Sequence, residues 1–86
     1  MPTKRFPGRF ESLAEVSDFV ARAALDAGFD HSSIYAVRLA VDEAFTNIIE
    51  HGYGGEGVGE IECACDETKD SLVIVLRDWA APFDPS

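Results

Sequence analysis

The stretch Ser33-Ile-Tyr-Ala-Val-Arg-Leu-Ala-Val-Asp-Glu-Ala-Phe-Thr-Asn-Ile-Ile-Glu-His51 decides the fold of this chain. Its apolar residues recur at three- and four-residue steps, which predicts a long amphipathic helix that ends before a run of glycines. The apolar positions are Ile34, Val37, Leu39, Val41, Ala44, Phe45, Ile48 and Ile49. This stripe is wider than a surface helix needs, so we expect the helix to be heavily buried.

The residues before this stretch predict a short strand and a first helix. Residues 3–10 contain a proline and a glycine, which allow an edge strand at best. Ser12 and Glu15 have the spacing of a capping box, and Gly28 is placed to end the helix that follows. His31–Ser33 offers a second helix start. The apolar positions of the first helix are Leu13, Val16, Phe19, Val20, Ala23 and Ala24.

The residues after the long helix predict two strands. Glycines make residues 52–59 rich in turns, and Glu60–Asp66 then alternates as a half-exposed strand does. Glu67–Asp70 is predicted to be a hairpin turn. The continuous apolar run Leu72–Leu76 favours a central strand covered on both faces, and a proline-containing loop from Trp79 follows it. The order of elements predicts an α+β fold, a two-layer sandwich of two helices on one face of a sheet.

Composition limits the possible partners. The chain has 86 residues, which fits a single domain, and a net charge of −9, which argues against nucleic acid or an anionic membrane as the main partner. No apolar run is long enough to span a membrane, and the first residues lack the apolar segment of a signal peptide. Cys63 and Cys65 do not make a disulfide framework and suit small buried positions. We expect a cytoplasmic protein.

Candidate functional residues cluster at the end of the long helix. Glu43, Asn47 and His51 follow one another at four-residue spacing and therefore share one face of the helix. A carboxylate can act as a general base, and a carboxamide oxygen suits Mg²⁺. An ordinary solvated polar face is the alternative. The glycines of residues 52–59 follow a helix rather than precede one, so they form neither a P-loop nor a dinucleotide fingerprint.

A second set of candidates surrounds the end of the last strand. Asp78 could accept a hydrogen bond from an amino group such as adenine N6, or it could accept bonds from its own loop. Trp79 and Phe83 could line an adenine pocket or simply cover the core. Spacing alone does not choose between these alternatives.

Two motifs resemble those of a known family. Val41-Asp-Glu-Ala-Phe-Thr-Asn-Ile-Ile-Glu-His-Gly-Tyr53 resembles the N-box of the GHKL ATPase superfamily, which has the Bergerat fold. Its detailed form is similar to that of the anti-sigma factor serine kinase branch. Arg77-Asp-Trp-Ala-Ala-Pro-Phe-Asp-Pro85 resembles the G1 box of the same branch. The predicted order β-α-α-β-β then corresponds to a portion of the Bergerat fold.

This resemblance implies a role for each matching residue. Glu43 would be the catalytic base, and Asn47 would coordinate the Mg²⁺ that bridges the phosphates of ATP or ADP. His51 would lie near the phosphates, Asp78 would accept from adenine N6, and Phe83 would wall the base. The implied reaction is phosphoryl transfer from ATP to a serine hydroxyl, which depends mainly on positioning and charge stabilisation.

The resemblance also implies partners and a boundary. Ala80 replaces the glycine of the G1 box, and the family's ATP lid and second glycine box would follow Ser86, so we expect residues 1–86 to be an incomplete domain. An uncovered edge of the Leu72–Leu76 strand predicts a homodimer formed by strand pairing or exchange. The implied partners are a sigma factor and an anti-anti-sigma (STAS) protein. The alternative is a non-catalytic protein-interaction module that retains the fold.

Overall fold

The structure is a computed structural model that describes residues 2–51, 59–68 and 71–80. For Trp79 and Ala80 it describes the backbone alone. Its elements are β1 (Thr3–Pro7), α1 (Leu13–Asp26), α2 (His31–His51), β2 (Gly59–Glu67) and β3 (Leu72–Ala80), with a short 3₁₀ turn over Phe10–Ser12. The strands form one antiparallel sheet in the order β1-β2-β3. The predicted α+β class and the predicted order of elements are confirmed.

Both helices pack against one face of the sheet. The residues that form this core are Phe6, Val16, Val20, Val41, Phe45, Ile49, Ile61, Cys63 and Cys65. Phe6 of β1 meets Phe19 of α1 edge to face, with ring centroids 5.7 Å apart. Full burial of an aliphatic or aromatic side chain contributes about 1.5–3 kcal/mol, so these contacts hold the two layers together.

Gly28 ends α1 as predicted. It has a φ of +87°, which glycine adopts without steric cost. The N–H of Phe29 donates to the carbonyl of Ala24, and the N–H of Gly28 donates to that of Leu25, both at 3.0 Å. This is the Schellman arrangement, which satisfies two carbonyls at the end of the helix and turns the chain toward α2.

The starts of the two helices differ from the prediction. Ser12 precedes α1 but has helical φ and ψ of −78° and −12°, because a 3₁₀ turn leads into the helix, and its side chain makes no capping bond. The predicted capping box is therefore wrong. Asp30 caps α2: its Oδ1 accepts from the N–H of Ser33 at 2.8 Å. The helix begins at His31, earlier than the sequence suggested.

Arg38 fastens α2 to α1. Its Nη1 donates to the buried Ser17 Oγ at 2.9 Å and to Asp18 Oδ1 at 3.1 Å. Hydrogen bonds from a charged donor are stronger than those between neutral groups. The two bonds from Arg38 therefore restrict the rotation of α2 about its axis relative to α1. That rotation decides which side chains of α2 face the sheet.

α2 is less buried than its wide apolar stripe predicts. Only Val41, Phe45 and Ile49 are buried, and Leu39 is 50% exposed. Helices α1 and α2 share a single layer, so the sheet and α1 cover only part of the surface of α2. No helix in the described ranges is sufficiently long and apolar to cross a membrane.

β3 also departs from the prediction. It lies at an edge of the described sheet, whereas β2 is central. None of its described side chains is fully buried, and Val73 and Val75 are each 46% exposed on the outer face. The continuous apolar run therefore reflects two partly covered faces rather than a strand in the middle of the sheet. Residues 52–58 of the glycine-rich segment, and part of the predicted turn, lie outside the described residues.

Candidate functional site

An open groove separates α2 from β3. It has a volume of about 580 Å³, within the range of roughly 300–1,000 Å³ typical of small-molecule sites. The lining residues are Val37, Ala40, Val41, Ala44, Asn47, Ile48, Ile74 and Leu76. Ala40 and Ala44 leave room on the helix side because their side chains end at Cβ. The groove is thus an apolar slot with one carboxamide.

The predicted residues of α2 lie along one ridge, but only one of them lines the groove. Asn47 belongs to the groove wall, and Glu43 lies one turn earlier as an exposed side chain. His51 is also exposed, and its Nε2 lies 3.8 Å from the carboxylate of Glu50. Because a step of four residues advances slightly more than one turn, the ridge drifts from the solvent side at Glu43 toward the groove at Asn47.

Asp78 belongs to the same face of β3 as the groove. It pairs with the buried Ile61 of β2, just as Leu76 pairs with the buried Cys63. Opposed residues of antiparallel strands project to one face, so Asp78 lies on the helix-facing side, two residues beyond Leu76. The sequence placed Asp78 at the end of the strand. This is wrong, because pairing continues to Ala80, which lies opposite Gly59.

The described lining residues carry no charge. In addition, no group of three or more histidine, cysteine, aspartate or glutamate side chains within the described ranges could hold a metal ion. A carboxamide oxygen is a ligand type that Mg²⁺ accepts while it keeps most of its water and binds substrate phosphates. Among the described lining residues, Asn47 alone carries a side-chain oxygen of this kind.

The remaining candidates stand apart from the groove or outside the described residues. Phe83 lies outside the described ranges, as does most of the proline-containing segment that was predicted to be a loop. Cys63 and Cys65 are buried core thiols, as predicted. Burial, followed by the neighbouring Cys65, raises the pKa of the Cys63 thiol to about 12, and burial also raises the pKa of Cys65. Both side chains are therefore neutral and have a structural role.

Sequence reasoning missed the two alanines that open the groove. Ala40 lies outside the predicted apolar stripe, and Ala44 is one of the positions predicted to be buried. Their four-residue spacing, which continues to Ile48 beside Asn47, is a signal that could have revealed them. Small residues beside a candidate polar residue indicate space for a ligand as readily as they indicate close packing.

Comparisons with known proteins identify the family of this chain. The family model described as histidine kinase-like ATPase domain matches residues 6–86. The serine-protein kinase RsbW of Bacillus cereus (strain AH187) is 34% identical over 80 residues, which are 93% of this chain and 49% of the relative. The serine-protein kinase RsbW of Bacillus thuringiensis subsp. konkukian (strain 97-27) matches at 34% over the same shares, and that of Bacillus thuringiensis (strain Al Hakam) at 32%.

The chain spans about half the length of these curated relatives. No solved structure gives a significant match. The family match nevertheless covers nearly the whole sequence and includes both motifs, so the resemblance predicted from the N-box and the G1 box is confirmed. The chain belongs to the histidine kinase-like ATPase domain family.

Proposed function

We propose that this chain binds ATP in the groove between α2 and β3 and acts as the kinase domain of an anti-sigma regulator. In this proposal it phosphorylates an anti-anti-sigma (STAS) protein on serine and binds a sigma factor. The observation that carries the proposal is the position of Asn47 in the wall of an apolar groove, with Asp78 on the same face of the facing strand. The names of the serine-protein kinase relatives support the reaction type.

The groove supplies an apolar wall for a purine. Ile74 and Leu76 of β3 face Ala44 of α2 across it. Asp78 continues the same face of β3, where a carboxylate oxygen can accept a hydrogen bond from adenine N6. By the resemblance of residues 77–85 to the G1 box, Ala80 and Phe83 would also belong to the nucleotide site.

The phosphates require charge neutralisation because the described groove lining contains no cation and the chain carries a net charge of −9. Mg²⁺ supplies that neutralisation when it is bound with the nucleotide. Asn47 would hold the ion through its carboxamide oxygen. His51, one turn beyond Asn47, would lie close enough to contact the phosphates.

Glu43 is suited to the proton transfer. Its carboxylate is exposed one turn before Asn47, so a serine hydroxyl of another protein can reach it. Glu43 would take the proton from the serine oxygen as that oxygen forms a bond to the γ-phosphorus. The bond from the γ-phosphorus to the β,γ-bridging oxygen breaks, and ADP leaves with that oxygen.

A transfer assay tests this assignment. Glu43→Gln should retain ATP binding and lose about 10²–10⁴-fold in phosphoryl transfer to a purified anti-anti-sigma protein, the usual contribution of a general base. Glu15→Gln on α1 is the matched control, since Glu15 is also exposed and lies on the other helix. Equal transfer by wild type and Glu43→Gln would remove the base role. ATP binding without any transfer in the wild type would favour a non-catalytic interaction module.

We also propose that two copies associate along β3. Within the described residues, β3 pairs with β2 on one side and with no strand on the other. A nine-residue edge with unpaired backbone groups is a template for pairing or exchange with a second copy. Light scattering during size exclusion should give the mass of a dimer, and a stable monomer would contradict this proposal.

A further inference from the structure

The ridge that carries Glu43 and Asn47 begins with two exposed apolar side chains. Tyr35, Leu39, Glu43 and Asn47 follow one another at four-residue spacing along α2. Tyr35 is 65% exposed and Leu39 is 50% exposed, and neither lines the groove. Single apolar residues on a surface need no explanation, but these two lie one helical turn apart on the line that leads to Glu43, the proposed base.

We propose that Tyr35 and Leu39 form the docking surface for the protein that supplies the serine hydroxyl. This inference rests on the proposed function, because it takes Glu43 as the group that receives the serine proton. It goes further in that it names the surface of α2 that the phosphate acceptor covers. It also describes the acceptor, which presents an apolar side chain and a basic side chain beside its serine.

Distance along the helix supports this docking surface. The rise of about 1.5 Å per residue places Leu39 about 6 Å and Tyr35 about 12 Å before Glu43 along the axis. A specific protein interface buries about 800 Å² on each partner, which corresponds to a disc of about 16 Å radius. A protein that brings its serine to Glu43 and extends toward the start of α2 therefore covers both apolar side chains.

Charge defines the chemistry of the acceptor. Glu43 and Glu50 lie on the same side of α2, seven residues apart, and both are exposed. Within the described ranges, no lysine or arginine forms an ion pair with either carboxylate. A lysine or arginine next to the acceptor serine would be attracted to this side of the helix, whereas an acidic acceptor would be repelled.

Binding measurements with two polar variants test the proposal. Leu39→Gln and Tyr35→Gln replace the apolar groups while keeping residues suited to a helix. The probe is a purified anti-anti-sigma (STAS) protein, titrated into the chain in the presence of ADP and Mg²⁺. We expect each variant to weaken acceptor binding about 5- to 10-fold, as central apolar contacts of an interface do. We expect the affinity for ADP to change less than twofold.

Val75→Thr is the matched control. Val75 is 46% exposed, close to the exposure of Leu39, but it lies on the outer face of the sheet, away from the helices. This variant should bind the acceptor as the wild type does. If transfer occurs, the loss in the α2 variants should appear in the KM for the acceptor and leave kcat nearly unchanged.

The two proposals fail in different ways. Equal acceptor affinity for wild type, Leu39→Gln and Tyr35→Gln would overturn the docking surface and leave the nucleotide site intact. Absence of acceptor binding to the wild-type chain would also overturn it. Failure of the proposed function would appear separately, as a lack of ADP binding in the same preparation. Circular dichroism of each variant confirms that a loss of binding is not a loss of α2.

Discussion

β2 and β3 are neighbouring strands of equal length, but the more apolar of the two, β3, is the less buried. β2 carries Glu60, Glu62 and Asp66, yet its inward side chains Ile61 and Cys63 are completely buried. β3 contains an unbroken apolar run, yet none of its described side chains is fully buried. The more polar strand is thus the one that builds the core.

Position in the sheet explains the difference. β2 is paired on both sides and lies beneath the packed side chains of α1 and α2, whereas β3 is paired on one side. The inward residues Ile74 and Leu76 pack against this core only in part, and they also line the groove. Core formation and ligand space are therefore divided between two adjacent strands. Four predictions test this division, from the largest expected effect to the smallest.

The largest effect is expected from truncation of the central strand. Ile61→Ala should lower the free energy of unfolding by about 2–5 kcal/mol, because it leaves a cavity in the core. Ile74→Ala should cost less than half as much, because its side chain is partly exposed to the groove. Urea unfolding followed by circular dichroism measures both. If Ile61→Ala does not fold, Ile61→Val should still show a loss of about 0.5–1.5 kcal/mol. Equal costs at the two positions would contradict the division.

The buried thiols of β2 predict a loss of stability at alkaline pH. Burial raises the pKa of Cys63 from 9.0 to about 12, so the unfolded chain releases this proton at lower pH than the folded chain. At and below neutral pH the thiol is neutral in both the folded and the unfolded chain, so its full contribution to the free energy of unfolding is present. Above pH 9.0 its contribution falls as pH rises toward 12. The expected slope is about 1.4 kcal/mol per pH unit.

Urea unfolding in a reducing buffer at pH 8 and pH 10 measures this slope. Cys63→Ala provides the comparison, because it removes this thiol and keeps the other groups that titrate at alkaline pH. The variant should lose less stability than the wild type between the two conditions. Parallel pH dependence of variant and wild type would show that Cys63 titrates normally and is not enclosed.

A substitution in the wall of the groove should change the affinity for ADP without changing the stability of the fold. Ala44→Leu places a branched side chain opposite Ile74 and should weaken ADP binding about tenfold or more, since it occupies space needed by the ligand. Stability should change by about 0.5 kcal/mol or less, because Ala44 is exposed. Ala14→Leu, at an exposed position of α1, is the control. Undiminished ADP affinity in Ala44→Leu would place the nucleotide elsewhere.

The smallest effect is expected on the outer face of the sheet. Val75→Thr keeps the shape and the strand preference of the residue and exchanges a methyl group for a hydroxyl at a half-exposed position. Unfolding free energy should change by about 0.5 kcal/mol or less. A cost above about 1.5 kcal/mol would indicate that this face is covered, for example by a second copy of the chain.

The fold could be predicted from the sequence where local rules and pattern agree. Gly28 ends α1 as its position indicated, and alternation correctly assigned the buried face of β2. The helix starts were less predictable. The 3₁₀ turn before α1 gives Ser12 a helical conformation, and Asp30 caps α2 in place of the three residues that follow it.

The roles of the candidate site residues stay predictions, and the sequence anticipated where those residues lie only in part. The spacing of Glu43 and Asn47 placed both on one ridge of α2, because helical periodicity is a local property. The groove itself depends on the distance between α2 and β3, which no short pattern contains. For the same reason the run Leu72–Leu76 predicted a covered strand. Whether an apolar strand is covered by neighbouring elements or borders a groove depends on tertiary packing, which a short pattern does not contain.

Calorimetric titration of ADP into the chain, with and without Mg²⁺, tests the central claim most directly. The account predicts micromolar binding that depends on Mg²⁺ and that weakens at least tenfold, about 1.4 kcal/mol, in Asp78→Asn. That outcome would place the nucleotide between α2 and β3, with its base at Asp78. An absence of binding at millimolar ADP, or equal affinity of wild type and Asp78→Asn, would contradict the assignment of this groove as the nucleotide site.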